Sequence, residues 1–110
     1  MINWNPLDSE KKLDQLIKES YEQPVVILKH STTCPISSIA KMRIDQDFKF
    51  ENAKMYYLDL LAFRSISNKI AKVFMINHES PQVLVIKDGD CIYDESHLNI
   101  QVDVLAKELV

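Results

Sequence analysis

The sequence predicts an α/β fold, with a mixed sheet of about four strands covered by helices on both faces. Short β-branched apolar runs alternate along the chain with segments whose apolar residues recur at helical spacing. An Asp-Gly pair near the C-terminus is typical of a hairpin and adds an antiparallel strand to the parallel ones. Because 110 residues are enough for one modest core, we expect a single domain over residues 1–110.

The first half of the chain predicts two helices with a buried strand between them. Asp8 or Ser9 can cap the first helix, which ends before Pro24. The strand is expected over Val25–Lys29 because this run is short, β-branched and apolar almost to its end. A second helix begins at Pro35, where the missing N–H costs nothing. The residues expected to face inward are Leu13, Leu16, Ile17 and Tyr21 in the first helix, and Ile36, Ala40, Ile44 and Phe48 in the second.

The second half of the chain predicts a strand, a helix, a hairpin and a last helix. The strand is expected over Met55–Leu61, and Ser65 can cap the helix that follows. A third strand over Val83–Ile86 turns through Asp88-Gly89-Asp90 into an antiparallel strand over Cys91–Tyr93. In the helix capped by Ser65, the residues expected to face inward are Ile66, Ile70, Val73 and Phe74. Asn99 can cap a last helix, whose residues expected to face inward are Val102, Leu105, Ala106 and Leu109.

Composition and charge exclude several classes of function. The 13 basic and 16 acidic residues give a net charge of −3 without a basic cluster, so nucleic-acid binding is not expected. No apolar run approaches the roughly 18 residues that span a bilayer, and the N-terminus lacks the pattern of a secretion signal. We therefore expect a cytoplasmic, monomeric protein with no membrane partner.

Cys34 is the residue that most directly indicates chemistry, because it lies between the first strand and the helix that begins at Pro35. At a helix N-terminus, unpaired N–H groups and the macrodipole stabilise an anion, so the pKa of a thiol there falls below its free value of about 8.5. The polar neighbours, Ser31, Thr32, Thr33 and Ser37, favour this reactive thiol over the alternative of a buried core cysteine.

Ser37 follows Cys34 by three residues, on the same turn of the predicted helix. Its hydroxyl and the N–H groups of Ile36 and Ser37 are therefore expected to point at the sulfur. A dithiol redox protein would carry a second cysteine at position 37, and an oxygen cannot resolve a mixed disulfide. Cys34 is thus expected to act alone or with a thiol from outside the chain.

A second motif, His78-Glu79-Ser80-Pro81-Gln82, places a proline directly before an apolar strand, where a cis bond is tolerated. The isolated cysteine, the Pro-started helix and the later Ser-Pro together resemble a thioredoxin-like fold, in which a cis-proline faces the catalytic cysteine. More narrowly, the string Lys29–Ser37 combined with His78–Gln82 and Lys87-Asp88-Gly89 resembles the monothiol bacilliredoxin family of general stress proteins.

This resemblance implies a thioredoxin-like three-layer sandwich with an N-terminal helical extension. It also implies removal of bacillithiol from protein mixed disulfides, with bacillithiol as co-substrate, S-bacillithiolated proteins as partners and no bound cofactor. Cys34 would attack the mixed disulfide, and Ser80 and Pro81 would hold the substrate chain. Ser37 is expected to assist Cys34 because of its place on the same helical turn. The other expected substrate-binding residues are Thr33, Pro35, Ile36 and His97.

Cys91 and the histidines are weaker candidates. If Pro81 lies beside Cys34, the strand carries Cys91 roughly 20 Å away, whereas disulfide Cα atoms approach within about 7 Å. We therefore expect Cys91 to be a half-buried strand residue. Pairing Lys87 with Cys91 brings His97 opposite Pro81, where it could bind an anionic thiol ligand, although a solvated loop histidine is the alternative. The other histidines, His30 and His78, receive less functional weight, and no metal site is expected.

Two other functions remain open from the residues. A thioredoxin-like module could bind extended segments beside Ser80 and Pro81 without turnover. The enzyme could instead act on glutathione or coenzyme A mixed disulfides, or work as a dithiol reductase with a second protein. Val25–Leu28 lacks the buried carboxylate that thioredoxins usually carry, which favours resolution by a small-molecule thiol.

Overall fold

The computed structural model describes residues 2–48 and 52–109. Within them the strands are β1 (Asn5–Pro6), β2 (Val25–His30), β3 (Lys54–Asp59), β4 (Gln82–Lys87) and β5 (Asp90–Ser96). The helices are α1 (Glu10–Glu19), α2 (Pro35–Asp47), α3 (Arg64–Val73) and α4 (Val102–Glu108), with a short 3₁₀ helix over His97–Asn99. The predicted α/β class is confirmed.

The five strands of the described residues form one mixed sheet in the order β1-β3-β2-β4-β5. β1 and β2 both run parallel to β3, whereas β4 pairs antiparallel with β2 and with β5. The sheet has one strand more than predicted because the short β1 lies ahead of α1 and pairs with the outer edge of β3. A two-residue strand that ends in proline has no periodic pattern to reveal it.

Helices cover both faces of the sheet, as predicted. Side chains alternate along β2, so Val25 and Ile27 enter one core cluster and Val26 and Leu28 enter another. The first cluster contains residues of α1 and α3, namely Leu13, Leu16, Ile66 and Ile70. The second contains residues of α2 and α4, namely Ala40, Ile44 and Leu105, together with Leu109 just after α4. The sheet is thus the middle layer of a three-layer sandwich.

The helix starts differ from the predicted caps in two of three cases. Ser9 caps α1 and accepts a hydrogen bond from the Lys12 N–H, as expected. α3 begins one residue ahead of Ser65, with the partly buried Phe63 at the cap position, because Phe63 packs against the first core cluster. α4 begins after Gln101, since Asn99 lies in the 3₁₀ helix instead.

Three apolar residues expected to face inward are exposed. Ile36 is 40% exposed because it lies in the first turn of α2, and Val73 is 44% exposed at the last residue of α3. Tyr21 is 64% exposed because α1 ends at Glu19. The ring of Tyr21 packs instead against Gly89 in the hairpin turn, where an added Cβ would lie 2.5 Å from its hydroxyl oxygen.

The hairpin between β4 and β5 turns at Asp88 and Gly89, whose φ angles of 52° and 83° suit a two-residue turn. Lys87 pairs with Asp90 rather than with Cys91, so the predicted pairing at the turn is wrong by one residue. A register shift between Val85 and Ile86 compensates for this difference of one residue, so that Gln82 pairs with Ser96. The predicted placement of residue 97 opposite residue 81 is therefore confirmed. In the described ranges, no helix is long and apolar enough to cross a membrane.

Candidate active site

Three chain segments meet at one edge of the sheet. β2 ends there at His30, β4 begins there at Gln82, and β5 ends there at Ser96. Continuing the β2–β4 register by one residue places Pro81 beside His30, on the sheet face that α2 covers. This edge therefore brings Cys34, Pro81 and His97 to one end of the molecule.

Cys34 is the N-cap residue of α2, which confirms the predicted position of the thiol between a strand and a helix. Its N–H donates to the Ser31 carbonyl at 3.2 Å, and its carbonyl accepts the Ser38 N–H at 3.1 Å. Pro35 occupies the start of the helix. The thiol is free and half-buried, and it makes no capping hydrogen bond. A sulfur at this position lies where the first N–H groups of a helix have no partner within the helix.

Ser37 is fully buried and its hydroxyl has partners other than the expected sulfur. Its oxygen accepts the Ser31 N–H at 3.0 Å and lies 2.7 Å from His30 Nδ1. In the part of the chain that the structure describes, no hydrogen bond joins Ser37 to Cys34. The reason is that the first turn of α2 sits directly over the end of β2, so the side chain reaches His30 first. Ser37 thereby fixes the loop that carries the thiol.

His30 is buried beneath this loop and was underrated by the sequence reasoning. Burial lowers the pKa of His30, and the charge of Lys41 lowers it further. The hydrogen bond with Ser37 and the charge of Asp59 raise this pKa, which partly opposes the effect of burial. Its ring lies 5.5 Å from the ring of Tyr57, centroid to centroid. The uncharged form of His30 is therefore favoured, which suits a side chain packed against a neutral hydroxyl.

The expected substrate-binding residues of the α2 side are on the surface. Thr33, Pro35 and Ile36 are exposed around the half-buried thiol. Thr33 Oγ1 lies 3.2 Å from Ser31 Oγ, so its side chain is also tied to the loop. These positions are compatible with contact to a substrate, and Ile36 adds an apolar surface beside the sulfur.

The Ser80–Pro81 bond is cis, as the thioredoxin resemblance implies. Pro81 is buried and Ser80 is half-buried, and among the described residues Ser80 Oγ has no hydrogen-bond partner. The Pro81 carbonyl accepts the His97 N–H at 2.9 Å. His97 has a positive φ of 56°, and its Nε2 lies 3.2 Å from Glu79 Oε2. His97 therefore fastens the proline loop through both its backbone and its side chain.

Lys29 and His78 form a polar cluster that the sequence reasoning missed. Lys29 is fully buried, and burial lowers its pKa to about 8. Its Nζ donates to the Ser67 carbonyl at 3.2 Å and lies 3.3 Å from His78 Nδ1. Burial lowers the pKa of His78, Lys29 and Arg64 lower it further, and Glu79 opposes them. The period of two along β2, which puts position 29 on the same face as Val25 and Ile27, was the available signal.

Cys91 lies away from this edge, as expected. It is half-buried in β5 and pairs with Ile86, about 13 Å along the strand from Gln82. Its Sγ donates to the Tyr93 carbonyl at 3.3 Å, and burial raises its pKa to about 11. The described ranges also contain no cluster of three residues that could hold a metal ion.

A cysteine that caps a helix, at the same edge of a mixed sheet as a loop with a cis-proline, is the arrangement of a thiol oxidoreductase of the thioredoxin fold. The comparisons with known proteins make this more specific. A family model, monothiol bacilliredoxin BrxC, matches residues 5–105. The chain therefore belongs to the monothiol bacilliredoxin family.

Solved structures share the thioredoxin fold of this chain. One, described as a candidate oxidoreductase with a thioredoxin fold, is 34% identical over 93% of this chain and 89% of its own, with a TM-score of 0.79. The reduced thioredoxin of Schistosoma mansoni is 20% identical, covers 96% of each chain and gives a TM-score of 0.73. The thioredoxin of Trypanosoma brucei brucei is 13% identical, covers 97% of this chain and 88% of its own, and gives 0.77. The last two are similar in fold alone.

Proposed function

We propose that this protein removes bacillithiol from protein mixed disulfides, with Cys34 as the nucleophile. The observation that carries the proposal is a single half-buried thiol at the start of α2, at the edge where the cis-proline loop meets the sheet. Position 37 holds a serine with buried partners, and Cys91 lies toward the far end of its strand. The chain therefore offers one reactive sulfur and no resolving thiol beside it.

The chemistry balances with two thiols and one mixed disulfide. The Cys34 thiolate attacks the bacillithiol sulfur of the modified protein, the disulfide breaks, and the protein thiolate leaves and takes a proton from water. This leaves a disulfide between Cys34 and bacillithiol. A second bacillithiol thiolate then attacks that disulfide, releases Cys34 and forms oxidised bacillithiol. Bacillithiol supplies the two electrons, so no bound cofactor is required.

The residues around the thiol have complementary tasks in this proposal. Ser80 and Pro81 bind the substrate chain; the Ser80 hydroxyl oxygen itself is buried, with no hydrogen-bond partner among the described residues. The exposed surface of Thr33, Pro35 and Ile36 contacts the substrate on the other side of the sulfur. His97 contributes to binding an anionic thiol ligand, and Ser37 keeps the thiol loop in place through His30 and Ser31. A reduced thiol pool is needed throughout, which the cytoplasm provides.

Intact-protein mass spectrometry tests this assignment. The protein treated with oxidised bacillithiol is expected to gain one bacillithiol, and Cys34→Ala is expected to gain none. Cys91→Ala is the matched control and should gain the same single adduct as the unaltered chain. An adduct that persists in Cys34→Ala would contradict the proposal.

The choice of thiol is tested with one substrate protein capped in turn by bacillithiol, glutathione or coenzyme A. The bacillithiol-capped protein is expected to be reduced fastest when each matching free thiol is supplied. If the protein with another cap is reduced faster, the thiol of that cap is the co-substrate instead of bacillithiol. Binding of the capped protein without release of its thiol, whichever cap it carries, would instead favour a binding module.

A further inference from the structure

Two buried polar side chains lie under the loop that carries Ser80 and Pro81. Lys29 of β2 and Gln82 of β4 pair directly across the ladder and point to the face that α3 covers. Each holds one residue of the loop: Lys29 Nζ contacts His78 Nδ1, and Gln82 Nε2 donates to the Asn77 carbonyl at 2.9 Å. The proline loop is therefore fastened from below by these two side chains.

The contacts of His78 fix the proton on its ring. A lysine ammonium can only donate, so His78 Nδ1 must accept from Lys29 at 3.3 Å. Ser67 Oγ lies 3.2 Å from the same nitrogen, and its hydroxyl can donate to it as well. Because Nδ1 is an acceptor, a neutral His78 must carry its proton on Nε2. The lowered pKa of His78 favours this neutral form at pH 7.

Within residues 2–48 and 52–109, the hydrogen bonds of the His78 ring are made by Nδ1, and the Nε2 side is presented to the outside. The Nδ1 side of His78 faces buried Lys29 and Ser67, while the residue as a whole is exposed. The hydrogen-bond directions of the two ring nitrogens diverge widely in the plane of the imidazole, so with Nδ1 turned to Lys29 and Ser67 the Nε2–H points away from the buried cluster. It does so two residues before Ser80, whose own hydroxyl has no partner among the described residues.

Packing alone does not explain a lysine at position 29, because the burial of its charge costs stability. Across residues 2–48 and 52–109, Lys29 forms no ion pair with a carboxylate. A buried charge without a counter-charge is less stable than an apolar side chain of the same size. Its carbonyl partner, Ser67, belongs to a helix, and its other partner is the outward-facing imidazole.

We propose that Lys29 and Ser67 hold His78 as a substrate-binding donor, with its Nε2–H directed at an oxygen acceptor of the substrate beside Ser80 and Pro81. His78 would touch the substrate, and Lys29 is a positioning residue that acts through it. The acceptor is a carboxylate of the thiol cap or a main-chain carbonyl of the capped protein, which share this chemistry. The inference rests on the proposed function but concerns binding rather than the attacking sulfur.

Two substitutions of His78 distinguish the role of the acceptor nitrogen, Nδ1, which faces inward, from the role of the donor nitrogen, Nε2, which faces outward. Asparagine can keep an acceptor near the Nδ1 position but has no donor at the Nε2 position, whereas glutamine can place an N–H there. His78→Asn is expected to raise KM for the capped protein by about two- to tenfold, the loss of one hydrogen bond, with little change in kcat. His78→Gln is expected to recover part of that loss. An unchanged KM in His78→Asn would overturn the proposal.

Lys29→Met tests the positioning step with a readout that a structural role would not move. Nitrogen NMR of the imidazoles should identify His78 as the Nε2–H form in the unaltered protein. In Lys29→Met the pKa of His78 is expected to rise, since Lys29 no longer opposes protonation; Arg64 and Glu79, the other charged groups that act on His78, remain. A proton on Nδ1 in the unaltered protein, or an unmoved His78 titration, would refute the role of Lys29. If Lys29→Met fails to fold, the comparison of KM in His78→Asn and His78→Gln still tests whether His78 donates to the substrate.

Comparing caps identifies the acceptor. A substrate protein capped with cysteamine, which has no carboxylate, is compared with the bacillithiol-capped form. A KM effect of His78→Asn on both caps assigns the acceptor to the protein chain, and an effect on the bacillithiol cap alone assigns it to the thiol carboxylates. An unchanged KM in His78→Asn, in a protein whose unaltered form gains the Cys34 adduct from oxidised bacillithiol, would overturn this inference alone. Absence of that adduct in the unaltered protein would overturn the proposed function.

Discussion

Replacement of Lys29 by methionine should remove a pH dependence of stability that this residue alone contributes. Burial lowers the pKa of Lys29 from 10.5 to about 8, so the folded state binds this proton more weakly than the unfolded state does. The resulting destabilisation is complete below pH 8 and disappears above the unfolded value. The free energy of unfolding should therefore rise as pH increases from 8 to 10.5.

The size of this effect follows from the two pKa values. At about 1.36 kcal/mol per tenfold change in proton affinity, the charged form costs about 3 kcal/mol near pH 7. About 2 kcal/mol of that cost is recovered by about pH 9.5, because the amine is then neutral in the folded state and still mostly charged in the unfolded one. Lys29→Met never has this cost, although it also loses the contacts with Ser67 and His78.

Urea unfolding of both proteins at the two pH values measures the difference. Burial also raises the pKa of Cys91 to about 11 and of Tyr56, and such groups lower stability as pH rises. They are present in both proteins, so they cancel when the pH effect in Lys29→Met is subtracted from that in the unaltered chain. A difference of about 2 kcal/mol is expected. An equal change in the free energy of unfolding between the two pH values in both proteins would contradict a buried Lys29 ammonium with a lowered pKa.

Three further predictions concern other parts of the molecule. Cys91→Val should still release the thiol of a bacillithiol-capped protein, because the half-buried Cys91 thiol lies away from the site; a large loss of this activity would show that Cys91 takes part in the reaction. Ser37→Ala should lower the free energy of unfolding, measured in urea, by about 1–3 kcal/mol, because it removes the hydrogen-bond partner of the His30 ring and of the buried Ser31 N–H. An unchanged midpoint of urea unfolding would contradict those contacts. Gly89→Ala should lower it by about 1–2 kcal/mol, because the φ of 83° is strained for a side chain and the added Cβ would meet Tyr21. Thermal unfolding of Gly89→Ala with and without Tyr21→Ala separates the two causes, and no loss in either would show that neither operates.

The parts of the site that depend on local sequence could be predicted. Cys34 lies where a β-branched run meets a proline-started helix, and those are short-range signals. The cis bond at Pro81 follows from a loop proline directly before a strand, together with the family resemblance. The position of His97 depended only on counting residues around a turn. That count survived an error at the turn because the β4–β5 ladder contains a compensating irregularity.

The parts that depend on tertiary contacts could not be predicted in the same way. Lys29 looks like the polar end of a strand, and its burial arises only when α3 and the proline loop close over it. Ser37 was expected to face the sulfur, but the end of β2 puts His30 within its reach. Ile36 fits an inward stripe by spacing, yet the first turn of α2 extends to where no partner covers it.

The proposed function requires that a single sulfur, Cys34, takes bacillithiol from a modified protein. Mixing the reduced protein with an equal amount of a bacillithiolated protein, and following both intact masses over time, tests it directly. Bacillithiol is expected to move to Cys34 as an equal amount of free substrate thiol appears. A disulfide between the two proteins, or transfer of bacillithiol to Cys91, would contradict it.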